Sequence, residues 1–319
     1  MTNKISNHIG LLILTMFLCV GCNKSENETL NTSYDKNKET LKTTKTGEMV
    51  ITPQFDVANN FSEGLALVRI GDDKTGKYGF IDKQGKMVIN PIFDVASDFS
   101  EGLARIFLGD DKAFKIGFID KQGTMVITPQ FAVASNFSEG LALVRIGDEK
   151  TGKIGFIDKQ GKMVITPQFD IASNFLNGLA IVKIGDNKTG KVGFIDKQGE
   201  MVITPQFAGA AQFSEGLARV KIGDEKTGKV GFIDKQGKMI VNPQFDDASN
   251  FSNGLASVRI GDYETGKFGF IDKQGKMVIT PQFERNENPY PGSLLKVSSD
   301  LIPVTVIKND KRVMGYISR

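Results

Sequence analysis

The sequence holds no tryptophan, two cysteines and one histidine in 319 residues. Cys19, Cys22 and His8 all lie at the extreme N-terminus, so the rest of the chain has neither thiol nor imidazole. That excludes Cys/His zinc sites, Ser-His-Asp triads and thiol nucleophiles together. It also excludes disulfides, so stability must come from burial and sheet hydrogen bonding. An excess of charge is lacking too, with a formal net charge of +3. Between Phe137 and Asn174 the acids Glu139, Asp148, Glu149, Asp158 and Asp170 are matched by the bases Arg145, Lys150, Lys153, Lys159 and Lys162. No basic stripe emerges to track a phosphate backbone, and nucleic acid is not an expected partner. No apolar run spans a bilayer: the longest, Ile9 to Val20, has about twelve residues against the roughly 20 required.

That run follows the positive Lys4 and ends at Cys19-Val20-Gly21-Cys22. It reads as a secretory leader over residues 1–21. It resembles a bacterial lipoprotein signal, in which small residues precede a cysteine that is lipidated and becomes the new N-terminus. Gly21 and Cys22 match that pattern. Cys19 stands where such signals usually carry leucine. The resemblance implies lipidation at Cys22, attachment to a membrane through the N-terminal lipid, and an address in the bacterial envelope, with the outer membrane expected. An ordinary cleaved signal or an uncleaved anchor is the plainer alternative. Residues 22–46 then carry almost no apolar content and read as a flexible tether.

What is present in abundance is repetition, and it fills residues 47–319. Gly-Phe-Ile-Asp begins at Gly79, Gly117, Gly155, Gly193, Gly231 and Gly269, at a constant spacing of 38 residues. A degenerate copy starts at Gly315. Met-Val-Ile-Thr-Pro-Gln-Phe or a close variant starts at Met49, Met87, Met125, Met163, Met201, Met239 and Met277. One unit reads as three strands: Leu141 to Ile146, Lys153 to Ile157, and Lys162 to Thr166, the last stopped by Pro167. In the first of these, Ala142, Val144 and Ile146 stay small or aliphatic between copies, whereas Leu143 and Arg145 vary. The period of two marks a half-buried strand. Asp158-Lys159-Gln160-Gly161 reads as a hairpin turn. Phe169 and Phe175 recur in most copies and read as core between neighbouring units; an exposed aromatic platform is the sharper alternative.

The unit resembles the bacterial WG repeat, also called the KWG repeat, whose pattern runs Lys-Trp-Gly-aromatic-Ile-Asp, a turn with Gly, Val-Val-Ile-Pro-Pro, and Gly-Leu-Ala-x-Val. The resemblance covers about Gly47 to Ile279. Lys77-Tyr78-Gly79, Lys153-Ile154-Gly155 and Lys267-Phe268-Gly269 occupy the position that names the family. No copy keeps its Trp: Tyr78, Ile116, Ile154, Val192, Val230 and Phe268 replace it. The resemblance implies a secreted or envelope protein and supplies no catalytic residues.

The expected fold is all-β, a tandem array of 38-residue β-meander units. A seven-bladed β-propeller is favoured, with an open twisted β-repeat solenoid as the alternative. Met49 to Ile51 would give a seventh unit its third strand, and Leu294 to Val297 with Val313 to Ile317 its first and second. Asn286 to Gly292 and Ile302 to Arg312 read as irregular and fit a cap equally well.

Gly147 to Lys153 fits Gly-x4-Gly-Lys, and the match recurs from Gly71, Gly185, Gly223 and Gly261. The residue that follows is never Ser or Thr, and the stretch opens a strand rather than a helix, so it reads as a turn. Asp82, Asp120, Asp158, Asp196, Asp234 and Asp272 read as turn formers; a cation-binding ring is the other reading, at spacings unlike an EF-hand loop. Catalysis needs an asymmetric site, which near-identical units do not offer; Glu284 to Asp310 is where asymmetry is expected. The leading expectation is a non-enzymatic, membrane-anchored binding scaffold that takes a protein or polysaccharide of the envelope, without cofactor or metal. The alternatives are an envelope carbohydrate-active enzyme that uses repeat carboxylates and a purely structural protein. Candidate recognition residues are those of the variable strand face: Leu143, Arg145, Lys183, Arg219, Lys221 and Arg259.

Overall fold

The computed structural model describes residues 49–109, 114–148, 151–186, 188–224, 227–284, 301–308 and 311–318. The chain divides into Met1–Thr52 and Pro53–Arg319. The leader, Cys22 and the tether lie outside the described residues, as do Leu294 to Val297 and Asn286 to Gly292. Among the described residues all secondary structure is β, and no helix is long and apolar enough to cross a membrane.

Pro53–Arg319 consists of six four-stranded antiparallel sheets and a two-stranded hairpin. The sheets run over residues 57–93, 95–131, 133–169, 171–207, 209–245 and 247–283. In the third sheet the strands, in spatial and chain order, are Val133–Ala134, Ala142–Ile146, Lys153–Ile157 and Met163–Phe169. We call them a, b, c and d in every sheet. The expected three strands are thus four. The linker after the phenylalanine forms strand a with only two residues, Val133 paired with Arg145 and Ala134 with Val144.

Strand d also runs further than expected, through Pro167 to Phe169. It is the edge strand, where a missing N–H costs no ladder bond. Ile154 pairs with Phe169 and Phe156 with Ile165, so Thr166, Pro167 and Gln168 face Gly155 alone across a bulge. A Cβ on Gly155 would lie 2.4 Å from the Ile165 carbonyl oxygen and 2.8 Å from the Pro167 nitrogen. The glycine of the tetrad and the proline of the next element are therefore one device, which brings the two backbones into contact. The c–d turn is as expected: Asp158 Oδ1 accepts from the Gln160 and Lys162 N–H groups, and Gly161 sits at φ 81°. Around the Gly147 to Lys153 stretch, Asp148 Oδ1 accepts from Thr151 N–H and Asp148 O from Gly152 N–H at 2.9 Å, and the stretch leads into a strand.

Each sheet packs on the next, and a core lies between every consecutive pair. Phe118, Phe131 and Phe137 meet Ala142, Val144 and Ile157 between the second and third sheets. Phe156, Phe169 and Phe175 meet Ala180, Val182 and Ile195 between the third and fourth. In five successive units a strand c phenylalanine meets one from the next linker, as Phe156 meets Phe175, with ring centroids 4.8 to 5.1 Å apart. Such pairs add about 0.5–1.5 kcal/mol beyond area burial. The recurring phenylalanines are core, not a ligand platform. Aliphatic residues at the family's Trp position, such as Ile154 and Val192, are buried in the same layers.

Stacking on both sides alters the expected strand faces. Leu143 packs into the core toward the fourth sheet and is 8% exposed, so it is not a surface residue. Ile146, expected inside, is 44% exposed because strand b runs past the core edge there.

The C-terminal elements are a hairpin, Leu301–Lys308 paired with Lys311–Ser318, not an irregular segment. Its Val304 joins Phe268, Phe270 and Phe283 of the sixth sheet. Met49 to Ile51 form no strand, so the third strand expected of a seventh unit is not built there.

Candidate functional site: a charged cleft between the fifth and sixth sheets

In a repeated structure a specific site should appear where the repetition fails. Between Phe169 and Phe175 the linker reads Asp170-Ile171-Ala172-Ser173-Asn174; between Phe207 and Phe213 it reads Ala208-Gly209-Ala210-Ala211-Gln212. The backbone is conserved between the two. Asp170 N–H donates to Lys183 O at 3.0 Å, and Ala208 N–H to Lys221 O at 2.8 Å. Strand a, Gly209–Ala210, therefore pairs with Lys221 and Val220 as its counterparts do, but it carries almost no side chain.

The removed volume opens a cleft of about 320 Å³ lined by Gly209, Ala210, Val230, Arg219, Lys221, Asp246, Asp247 and Arg259. Three of the expected recognition residues, Arg219, Lys221 and Arg259, converge here. Arg219 Nη1 donates to Ala248 O at 2.7 Å and lies 3.4 Å from Asp247 Oδ1. Its Nε is buried without a hydrogen-bond partner among the described residues. The equivalent Arg105, by contrast, satisfies its Nε on Asn136 Oδ1 at 2.7 Å. Arg259 is 9% exposed and donates from Nη1 to Gly261 O.

The two carboxylates are already engaged. Asp246 Oδ1 accepts from Lys229 Nζ at 2.5 Å and Oδ2 from Gly261 N–H at 2.9 Å. Burial raises its pKa, but Lys229, the Gly261 N–H and Arg259 outweigh it and hold the carboxyl below the usual range. Asp247 Oδ1 accepts from its neighbour Ala248 N–H at 2.9 Å. What the cleft offers a ligand is mainly donors, from the exposed part of the Arg219 side chain together with Lys221 and Arg259. The remaining candidates lie elsewhere: Lys183 lines a separate cleft between the fourth and fifth sheets, Arg145 sits half-buried in the third sheet, and Leu143 is core.

The expectation that near-identical units offer no asymmetric site is thereby corrected, since asymmetry lies in the linker of the fifth sheet. The signal was in the sequence, as four departures from the pattern at positions 208, 209, 211 and 212 around an unchanged Ala210. Gly209, Ala210, Asp246 and Asp247 could have been found by aligning linkers rather than strand faces.

The sequence model described as "WG containing repeat" matches residues 44–74, 78–110, 116–149, 154–188, 193–225, 231–263 and 268–287. No curated protein matches the chain. Among solved structures, TolB from Acinetobacter baumannii is similar at 15% identity and a TM-score of 0.32, over 67% of this chain and 62% of that one. The β-propeller domain of the Trilobed protease from Pyrococcus furiosus, with an open velcro topology, is similar at 10% identity and a TM-score of 0.37, over 82% and 95%. Prolyl oligopeptidase B from Galerina marginata follows at 11% and 0.39, over 82% of this chain and 45% of that one. The chain thus spans under two thirds of TolB and under half of the oligopeptidase, and likenesses this low support no argument about activity.

Proposed function

The chain belongs to the WG-containing repeat family, and from that premise we propose that it is a non-enzymatic binding scaffold of the bacterial envelope, tethered by lipid at Cys22, which takes its ligand in the cleft at Gly209. The observation that supports this most is the coincidence of the linker's lost side chains with three convergent cations. A rigid wall of stacked sheets on each side preorganises those cations, which is what specific binding requires. The ligand is acceptor-rich, a protein segment or polysaccharide of the envelope.

Asp246 is unsuited to be the acid of glycoside hydrolysis. That chemistry needs one carboxyl held protonated near neutrality, and Asp246 is driven the other way by Lys229 and Gly261. Peptide and glycan arrays probed with the protein and with Gly209→Ile test the reading. Ligands retained by the first and lost by the second are expected. Equal retention by both would remove the cleft from the proposal, and turnover of an arrayed substrate would remove the word non-enzymatic. Cys22→Ala should release the protein from the membrane fraction and abolish labelling with a palmitate analogue; unchanged labelling would overturn the tether.

A further inference from the structure

A second departure in the same linker carries an inference independent of the cleft at Gly209. In most units the first linker residue is acidic, and in two of them its carboxylate clasps both a lysine and a glycine N–H. Asp170 accepts Lys153 Nζ on Oδ1 at 2.5 Å and Gly185 N–H on Oδ2 at 2.8 Å. Asp246 does the same with Lys229 and Gly261. Asp56 accepts Gly71 N–H at 2.8 Å, and Asp94 and Glu284 hold Lys77 and Lys267.

At Ala208 the carboxylate is gone and the donors remain. The backbone keeps its place through the Ala208 N–H to Lys221 O bond, so Gly223 N–H and Lys191 occupy the positions of Gly185 and Lys153. Lys191 has no carboxylate partner among the described residues. The vacated space forms part of a cleft of about 700 Å³ that also includes Lys183, Lys188 and Asp224. Asp224 turns toward its own loop, its Oδ1 accepting Thr227 N–H at 2.7 Å and its Oδ2 the Thr227 hydroxyl.

The chain contains one other such gap, Ala132, opposite Lys115 and Gly147. There Phe107 stands where Lys183 stands, with the Phe114 ring 5.6 Å away. The Ala208 gap thus carries a lysine where the Ala132 gap carries Phe107.

We propose that the Ala208 cleft binds a carboxylate supplied in trans, from an acidic peptide side chain or a small organic acid. One carboxylate oxygen takes Lys191 Nζ and the other Gly223 N–H, as Asp170 takes Lys153 of the third sheet and Gly185 of the fourth. Lys188 adds to the positive charge that lines this cleft beside Lys191.

The test is a titration of the full-length protein, selectively labelled with 15N-glycine in detergent micelles, with sodium acetate, an N-acetyl aspartyl peptide and inorganic phosphate. The Gly223 amide should shift saturably with both carboxylates, while Gly185 and Gly261, already capped from within, stay in place. A peptide that saturates at lower concentration than acetate points to an acidic protein segment, and equal saturation to a small organic acid. Ala208→Asp supplies the carboxylate internally with the residue the sibling units use. It should move the unliganded Gly223 amide toward the position of Gly185 and abolish the response. Lys191→Met, at an exposed position, should weaken the response about tenfold, the expected cost of one charge-assisted hydrogen bond. No saturable shift at Gly223, a response in Ala208→Asp equal to that of the native chain, a parallel shift at Gly185, or tighter binding of phosphate than of either carboxylate would each overturn the proposal.

Discussion

The linkers that open the fourth and fifth sheets share a backbone and differ in what they display. Phe169 and Phe175 bracket the first at 0% and 1% exposure, and Phe207 and Phe213 the second at 2% and 4%. Both strands a pair with strand b in the same register, Ile171 opposite Lys183 and Gly209 opposite Lys221. Between those anchors the fourth linker is filled with side chains that bind their own array, and the fifth keeps only Gln212 for that, its Nε2 donating to Ser173 Oγ at 2.8 Å. This fold therefore stores shape in its phenylalanines and its Gly-Pro crossing. That leaves the five residues between each pair of phenylalanines free to become structure or site.

The largest effect should fall on what the two linkers share. Phe175→Ala and Phe213→Ala each remove one ring of a buried pair with centroids 4.9 and 5.1 Å apart. Each should destabilise the array by about 3–5 kcal/mol, measured from urea unfolding. A much smaller loss at Phe213 would break the comparison, because it would mean that the fifth linker packs loosely and that its cleft is slack rather than built.

Much of this frame was legible in the sequence. The all-β class, the 38-residue period, the turn aspartates and the packing phenylalanines follow from local chemistry that repeats without interruption. What was not legible depends on neighbours. Leu143 and Arg145 share a strand parity, yet one is core and the other half-buried, because sheets stack on both faces and end at different heights. Pro167 reads as a stop, and strand d passes through it because the glycine opposite allows a bulge at an edge. Arg219, Lys221 and Arg259 come from a variable face in the sequence. They become a site through Gly209 and Ala210, small residues that give no chemical signal of their own.

Asp170→Ala turns the fourth linker into the fifth at its first position. The loss of the bonds to Lys153 and Gly185 should cost about 1–2 kcal/mol at neutral pH. The Lys153 ammonium, with the Gly185 N–H, holds the Asp170 carboxyl below its ordinary value against the opposing effect of burial. A depressed carboxyl contributes stability that is complete above the unfolded pKa and is lost as pH falls through the folded one. The gap between the native chain and Asp170→Ala in urea midpoint should therefore be widest near neutrality and close as pH drops below about 4. A gap that does not change with pH would show that the variant acts through packing.

Gly209→Val restores the side chain that the first three linkers carry as Val57, Val95 and Val133. A Cβ there meets nothing closer than Lys221 Cβ at 3.8 Å. Reduced freedom in the unfolded chain should then give a gain of about 0.4–1 kcal/mol, together with loss of ligand binding in the cleft. A destabilised variant would mean that the glycine is demanded by backbone shape and not kept for the space it leaves.

The smallest effect sharpens a related contrast. In the b-strand approach turns, Glu63, Glu101, Glu139 and Glu215 hold a left-handed backbone, φ 51° to 54°. Each reaches across to the next unit and accepts a glycine N–H at 2.9 Å, as Glu139 accepts Gly178. Each also meets a lysine of the following c–d turn at 3.1 to 3.3 Å. Asn177 takes the same backbone, φ 55°, with a side chain one carbon shorter. Its expected lysine, Lys235, is exposed, whereas Lys121, Lys159, Lys197 and Lys273 are half-buried against their glutamates. Asn177→Glu should restore the clasp to Gly216 and Lys235. It should raise stability by about 0.5 kcal/mol, since an exposed ion pair contributes little and the left-handed strain is heavier for Glu than for Asn. Adding salt should shrink the gain, and Lys235→Met should remove it in a double-mutant cycle. If Asn177→Glu leaves the urea midpoint where it was, with Lys235 still uncoupled, the glutamate clasps follow from the stacking of the sheets and do not help to hold them together.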